Sequence, residues 1–259
     1  MVRAPDGGGY AVDPYVVFRA STQFLDAKDF VYDIAAGLAG NLQFSAGMAG
    51  DDSTAHSFAA RYEPAATAIV AAIGTAGQGT AAISSRLLGM ANNYLRVEDA
   101  AAAAFAGRVD VSSGLSPGAQ QECEPSTAQA SLPMVTGSKQ VHQIPVIGRF
   151  WPQGDPDKLR AAAQVWSRAA ALLDDAQLDA ASHAAPVAVE CAGKAFNAFH
   201  AYAATLYADR PGGGTDIGPG RPLMENISAG CRLGDAAQEL VVDRSPCFRA
   251  DLDGVGVVP

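Results

Sequence analysis

The segment that decides the fold opens with a glycine turn, Ala46-Gly47-Met48-Ala49-Gly50-Asp51-Asp52. An alanine-rich run follows this turn and ends in Asn92-Asn93-Tyr94-Leu95-Arg96-Val97-Glu98. The two glycines permit the backbone conformations of a tight reversal, and Asp51, Asp52 or Ser53 can cap the helix that follows. Because a helical pattern also precedes the turn, the sequence predicts a helical hairpin with a tip at residues 46–52 and a tail near Glu98.

The first arm of this hairpin begins at Asp13-Pro14, because Asp can cap a helix and Pro fits its first turn. Apolar residues then recur every seven positions and predict one buried face along a helix that ends near Gln43. Lys28 and Asp29 interrupt neighbouring positions, so we expect them at the edge of that face. The repeating residues are Val17, Phe24, Val31 and Leu38.

The second arm carries apolar residues at steps of three and four between Phe58 and Val97, and it should end near residues 105–107. Pro64 is expected to kink this helix or to mark a second start near Glu63. Each glycine inside the helix weakens it by about 1 kcal/mol relative to alanine, and close backbone contact with a neighbour would compensate. These glycines are Gly74, Gly77 and Gly79.

The second half of the chain predicts three more helices. The first is capped by Asp155-Pro156, its large residues again repeat every seven positions, and Pro186 should end or kink it. A helix at residues 187–208 should direct Val189, Phe196 and Phe199 inward. A last helix is predicted at residues 223–242.

No segment alternates with a strand period, so the sequence predicts an all-α fold: two helical hairpins joined into one elongated bundle. The first hairpin takes residues 1–106. Residues 107–147 are rich in Ser, Gly, Pro, Gln and Thr and predict a linker. The second helical region takes residues 148–243, and residues 244–259 stay unassigned.

Composition excludes some classes of function. The 259 residues carry a net charge of −9, and their basic residues are scattered singly, which argues against nucleic-acid binding. No uninterrupted apolar run reaches the roughly 20 residues of a membrane-spanning helix, so we predict no integral span. The first ten residues lack the apolar core of a cleavable leader, so export would follow another route.

The sequence predicts no cofactor, no metal site and no catalytic centre. It contains neither a nucleotide-binding glycine motif nor a nucleophile elbow, and its histidines are isolated. His183, Glu190 and Cys191 could meet a metal only if a bend at Pro186 brought them together. The acid pairs Asp51-Asp52 and Asp174-Asp175 are interpreted as a helix cap and a solvated face.

The four cysteines, Cys123, Cys191, Cys231 and Cys247, lack the spacing of a metal site. An even number is compatible with disulfides outside the cytosol. Cys231 with Cys247 is the first pair to test, and unpaired thiols are the alternative.

Recognition features remain. Tyr94 and Glu98 lie one helical turn apart on one face, so a ring and a carboxylate can be presented together. The hairpin resembles the WXG type of type VII secretion substrates, with the turn in the place of Trp-x-Gly and with Tyr94 and Glu98 matching their Tyr-x-x-x-(Asp/Glu) signal. Met48 stands where that family has Trp.

More narrowly, three blocks resemble the N-terminal domain of mycobacterial CpnT-type secreted toxins. These blocks are Val12-Asp13-Pro14, the turn at residues 46–52, and Trp151-Pro152-Gln153-Gly154-Asp155 leading into Lys158-Leu159-Arg160-Ala161-Ala162-Ala163. This resemblance implies two WXG-like hairpins, and it covers most of residues 11–175.

The resemblance also implies a function. It predicts an export domain that binds small WXG-type helical proteins and is read by a type VII secretion ATPase, which would place the protein outside the cell or in the envelope. The implied interface residues are Met48, Gly50, Tyr94, Glu98 and Trp151. No NAD-hydrolysing toxin domain of the resembled family is recognisable after Leu223. The alternatives are a membrane-active or channel-associated envelope protein and an unrecognised enzyme that uses His183, Cys191 or His200.

Overall fold

The computed structural model describes residues 11–106, 131–137, 153–208 and 214–244, and it describes side chains as far as residue 102 in the second helix and 235 in the last. These residues form helices with one 3-10 turn at Leu42–Ser45, and they contain no strand beyond two isolated bridges. The all-α prediction is confirmed. The helices are α1 Pro14–Asn41, α2 Ser53–Ala106, α3 Pro156–Glu190, α4 Lys194–Leu206 and α5 Leu223–Arg244.

The starts of α1 and α3 follow from the same local chemistry. The Asp13 carboxylate accepts hydrogen bonds from the backbone N–H groups of Tyr15 and Val16. The Asp155 carboxylate does the same for Asp157 and Lys158. In both helices a proline occupies the first turn, where its missing N–H costs nothing. Both predicted caps are confirmed.

The helices form an antiparallel bundle. The start of α3 lies against the turn after α1, because Asp155 N donates to Met48 O. Ala192, two residues after the end of α3, pairs with Ala11, which precedes α1. Helices α1 and α3 therefore run in opposite directions. Helix α2 returns antiparallel to α1. Helices α4 and α5 follow each other along α2 and α3 and run antiparallel to both. The bundle thus has four positions, and the fourth is shared by α4 and α5.

The predicted buried faces of α1 and α3 are confirmed, with one correction at the edge of the α1 face. The seven-residue repeats of α1 and α3 are buried in the core: Val17, Phe24, Val31, Leu38, Leu159, Trp166, Leu173 and Ala180. Lys28, predicted at the edge, is buried as well. Its apolar stem is covered by the bundle while its ammonium group reaches Asp29 at 2.9 Å, so the charge stays paired near the solvent.

Helix α2 is continuous through Pro64, so the predicted second start near Glu63 is wrong. Two of its glycines make room for side chains rather than for a backbone. A Cβ atom on Gly77 would lie 2.6 Å from the Tyr32 ring, and one on Gly79 would lie 2.9 Å from Leu206. The tight packing of these neighbours offsets the cost of glycine in a helix.

The end of α3 differs from the prediction. Helix α3 continues through Pro186 for one more turn to Glu190, and α4 begins only at Lys194. Val187 is fully buried in that last turn, and its packing holds the turn in place beyond the proline. Val189, predicted inward, is 84% exposed, whereas Phe196 and Phe199 are buried as predicted.

Helix α5 is held on α3 by a polar contact at Asp174. The Asp174 carboxylate accepts hydrogen bonds from Ser228 Oγ at 2.7 Å and from the guanidinium of Arg232. Asp174 is therefore an interhelical anchor rather than part of a solvated face, and only Asp175 is exposed.

By length and composition alone, α2 could cross a membrane, in contrast to the prediction of no span. An 18-residue window within Ser53–Ala102 reaches a mean hydropathy of 1.3, and 33% of it is buried in the bundle. The core helix of a soluble bundle passes the same test.

Two serines join α1 to α2 by hydrogen bonds from each side chain to the backbone carbonyl of the other. Ser21 Oγ donates to the Ser84 carbonyl at 2.9 Å, and Ser84 Oγ donates to the Ser21 carbonyl at 2.8 Å.

Ser84→Leu would force the helices apart and should lower the free energy of unfolding by about 1–3 kcal/mol. The neighbouring exposed Ser85→Leu should change it by less than about 0.5 kcal/mol. Urea unfolding measures the free energy of both variants. Equal effects of Ser84→Leu and Ser85→Leu would contradict close packing of α1 and α2 at Ser84.

Candidate functional site

The turn at residues 46–52 is covered on one side by residues 131–137, which lie within the predicted linker. Gly47 N donates to Met134 O at 3.1 Å, Ala49 N donates to Val135 O at 2.9 Å, and Gly137 N donates to Gly50 O at 3.1 Å. This short extended segment therefore satisfies backbone groups that the turn would otherwise leave to water.

The start of α3 covers the other side of the turn. Lys158 Nζ donates to Ala46 O at 2.8 Å, and Gln153 N donates to Asp52 Oδ2 at 3.0 Å. Asp52 Oδ1 accepts from the N–H groups of Thr54 and Ala55, so Asp52 is the residue that caps α2. One carboxylate thus joins the start of α2 to the start of α3.

Two predicted interface residues lie inside this junction. Met48 is 0% exposed. Gly50 has a φ of +87°, and a Cβ atom there would lie 2.5 Å from the carbonyl carbon of Gln153. A partner that reads the turn would have to displace residues 131–137 or 153–155. Trp151, the third candidate near the turn, lies outside the described residues.

Gly50→Ala should lower the free energy of unfolding by more than about 2 kcal/mol, because it combines an unfavourable φ with a backbone clash. Gly89→Ala is the matched control, since no atom lies within 4 Å of a Cβ atom at that helical position. It should stabilise the chain by up to about 1 kcal/mol. Thermal or urea unfolding tests the pair, and a neutral Gly50→Ala variant would show that the junction is not tight.

The other two candidates, Tyr94 and Glu98, lie at the opposite end of the bundle. About 60 Å of helix separates Ser53 from Tyr94, at 1.5 Å of rise per residue. The structure therefore does not bring them together with Met48 and Gly50. The Tyr94 ring is half-buried and stacks on Phe196 of α4, with centroids 6.2 Å apart and planes 15° apart. Glu98 is exposed, and Val97 beside it is 60% exposed.

The connection between α3 and α4 forms a tight corner at this end, which we call the α3–α4 corner (residues 191–193). Ala192 forms two backbone hydrogen bonds with Ala11, of 2.7 and 3.2 Å. Gly193 caps α4 with a φ of +137°, a conformation that residues with a side chain rarely adopt. Phe196 follows three residues later.

The helical pattern predicts Phe196 inside the bundle but does not pair it with Tyr94. The two rings are far apart in the chain, so helical periodicity cannot match them. The local sequence signal for the α3–α4 corner is Gly193, which directly precedes α4 and its Phe196.

The surroundings of the titratable residues named as catalytic alternatives are as follows in the described part of the chain. His183 Nδ1 lies 3.4 Å from Ser182 Oγ, and its ring meets the Phe24 ring edge-on. Burial raises the pKa of the Cys191 thiol and lowers the pKa of His200, so both favour their neutral forms. Among the described residues, no group of three His, Cys, Asp or Glu could hold a metal ion.

Cys231 is a fully buried free thiol whose pKa is raised by burial to about 12. Cys247, its suggested partner, and Cys123 lie outside the described residues. The Cys231 thiol lies in the hydrophobic core as a small apolar group.

A groove of about 510 Å³ runs between α1 and α3 near the turn. Its polar lining comes from Asp33, Asn41, Gln164 and Arg168, and Phe44 stands at one side. None of the histidines or cysteines considered above lines it.

Comparison with known proteins gives three similar mycobacterial sequences. The chain is 31% identical over 167 residues to a protein of Mycobacterium avium (strain 104) named as a candidate NAD(+)–arginine ADP-ribosyltransferase, Mav; the match covers 62% of this chain and 19% of the relative. It is 32% identical over 161 residues to proteins named outer membrane channel protein CpnT, with 61% and 19% covered. The CpnT sequences come from Mycobacterium bovis (BCG Pasteur) and Mycobacterium tuberculosis (H37Rv).

The chain contains a CpnT-related region. It spans about a fifth of the length of the curated relatives it matches, so their named activities belong to much longer proteins. No family model matches the chain. No solved structure matches it significantly either.

Proposed function

We propose that this chain is an export domain of type VII secretion, recognised at the end of the bundle where Tyr94 and Glu98 lie. The observation that carries the proposal is the geometry of this pair. The tyrosine ring is fixed against α4, and the carboxylate one turn further along α2 points to solvent. The CpnT-related sequence supports the same role.

Exposed apolar side chains make this end suited to protein binding. Val97 and Val189 are 60% and 84% exposed, and Tyr15 at the start of α1 is 63% exposed. Apolar groups of this size on a surface are typical of interaction sites when they lie close together. We call the surface formed by Tyr94, Val97, Glu98 and the α3–α4 corner the tail surface.

In this proposal, the tail surface is read by a type VII secretion ATPase, and small WXG-type helical proteins bind the bundle from outside. The protein then acts outside the cell or in the envelope. Its role is to carry and be recognised rather than to catalyse a reaction. No observation on the described residues favours a catalytic function instead.

The test is secretion of Tyr94→Ala and Glu98→Ala variants from a mycobacterial host. Each should reduce export at least about tenfold, the factor that roughly 1.4 kcal/mol of lost binding produces. Tyr94→Phe keeps the ring and should be exported nearly normally. The ratio of secreted to cellular protein measures the effect.

Asp26→Ala is the matched control for Glu98→Ala, because it removes another exposed carboxylate from the same hairpin. Unchanged cellular levels and unfolding midpoints would show that the variants fold. Normal export of both Tyr94→Ala and Glu98→Ala would refute the proposed function.

Membrane activity is the second candidate, and the hydropathy of α2 favours it together with the channel named in the CpnT relatives. Crossing a bilayer would require α2 to leave the bundle. It would then lose the hydrogen bonds Ser21–Ser84, Thr80–Tyr207 and Tyr62–Trp166. Breaking buried polar pairs without new partners is costly in an apolar medium.

We therefore expect no release of a trapped dye when the purified chain is added to vesicles of phosphatidylcholine and phosphatidylglycerol. Fluorescence of released calcein measures the outcome, and detergent gives the full signal. Release well above background would favour the membrane role over the export role.

A further inference from the structure

The groove between α1 and α3 exposes apolar surface near the turn. Small residues open both of its walls: Gly37 on α1 has no atom within 4 Å of where a Cβ would lie, and Ala161 lines the α3 wall. Phe44 is 39% exposed at the end beside the turn, and Val165 and Leu172 are half-buried on α3. Side chains of a second molecule can therefore reach apolar groups in this groove.

Each wall of the groove also carries one charge, and the two charges have opposite signs. Asp33 on α1 and Arg168 on α3 are both exposed, and neither forms an ion pair with another described residue. Asp33 lies 22 positions after Ala11, and Arg168 lies 24 positions before Ala192, which pairs with Ala11. Because helices rise about 1.5 Å per residue, the two charges lie within about 3 Å of the same level along the bundle.

This arrangement is complementary to itself. A two-fold axis along the groove would lay α1 of one copy over α3 of the other, and these helices would run antiparallel. Asp33 of each copy would then meet Arg168 of the other, so two identical ion pairs would form. The Phe44 ring of each copy would come within about one helical turn of Ala161 of the other. The other two-fold arrangement, with α1 over α1, would set like charges against each other and is disfavoured.

Acidic side chains limit the length of this contact. Asp26 on α1 and Asp175 and Asp179 on α3 are exposed beyond the groove, on the side away from the turn. The same two-fold axis would bring these carboxylates together, which is unfavourable. Contact is therefore confined to the stretch from Asp33 to Phe44, about 16 Å of helix. An interface this short belongs to the transient class, below ~1,200 Å² of total buried surface.

We propose that the groove between α1 and α3 is the contact surface of a weak homodimer, and that its occupant is a second copy of this chain. The reciprocal Asp33–Arg168 pairs set the two-fold orientation. The small contact area predicts a dissociation constant between about 10 µM and 1 mM. The groove lies near the turn and the tail surface lies at the other end of the bundle, so this inference does not rest on the proposed export signal.

Charge reversal tests the reciprocal pairs, with sedimentation velocity at chain concentrations up to about 1 mM as the measurement. Asp33→Arg and Arg168→Asp each turn two attractive pairs into two repulsive ones, so each variant alone should dimerise at least about tenfold more weakly. An equimolar mixture of the two variants restores both pairs and should form a dimer of twice 26.5 kDa. An ion pair within one copy could not produce this rescue.

Two further variants complete the charge test. The double variant Asp33→Arg/Arg168→Asp exchanges the charges between the walls and should dimerise with itself as the wild type does. Arg61→Asp is the matched control, because it reverses an exposed charge on α2 that does not line the groove. It should leave the dissociation constant unchanged.

Filling the groove tests its packing without a change of charge. Gly37→Gln places a side chain in open space, so the monomer should unfold at an equal or higher midpoint while the dimer is lost. Gly40→Gln is the matched control, since Gly40 lies on the same helix with equally open space but does not line the groove. It should dimerise as the wild type does.

Three outcomes would overturn the homodimer. The first is a wild-type chain that stays monomeric at every concentration. The second is a wild-type dimer whose two charge-reversed variants fail to associate when mixed. The third is a dimer on which Gly37→Gln and Gly40→Gln act equally, because the contact would then lie outside the groove.

Discussion

The backbone hydrogen bonds around residues 46–52 are the constraint on which the rest of the structure depends. They bring three segments together: the turn itself, residues 131–137 and the start of α3. Because Asp52 both caps α2 and accepts from Gln153, the two longest helices begin side by side and run in the same direction. The position of the opposite end, where α3 turns into α4, follows from the length of α3.

The two ends of the first hairpin differ in how far the chain itself covers them. At the turn, polar backbone groups are paired within the chain and Met48 is enclosed. At the tail, α2 continues beyond the level of its contact with Phe196, and its side chains at Val97 and Glu98 face solvent.

Local chemistry and helical periodicity predicted most of the fold. The caps at Asp13 and Asp155 act within one turn of the chain, and the seven-residue repeats report burial directly, so both could be read from the sequence. The alternative that α3 ends at Pro186 was wrong, because the burial of Val187 outweighs the hydrogen bond that proline removes. The pairing of Tyr94 with Phe196 and the covering of the turn by residues 131–137 could not be predicted, since both join segments that no periodic pattern relates.

The division of the fourth bundle position between α4 and α5 has a consequence for how the molecule opens. Helix α5 is held mainly near Asp174 and Trp166, whereas α4 is held through Thr80, Arg86 and Tyr94. The two helices share few contacts with each other, so each can exchange its amide protons in a separate opening event. Helix α5 can therefore separate transiently from α3 while Tyr94 and Phe196 stay stacked at the other end of the bundle.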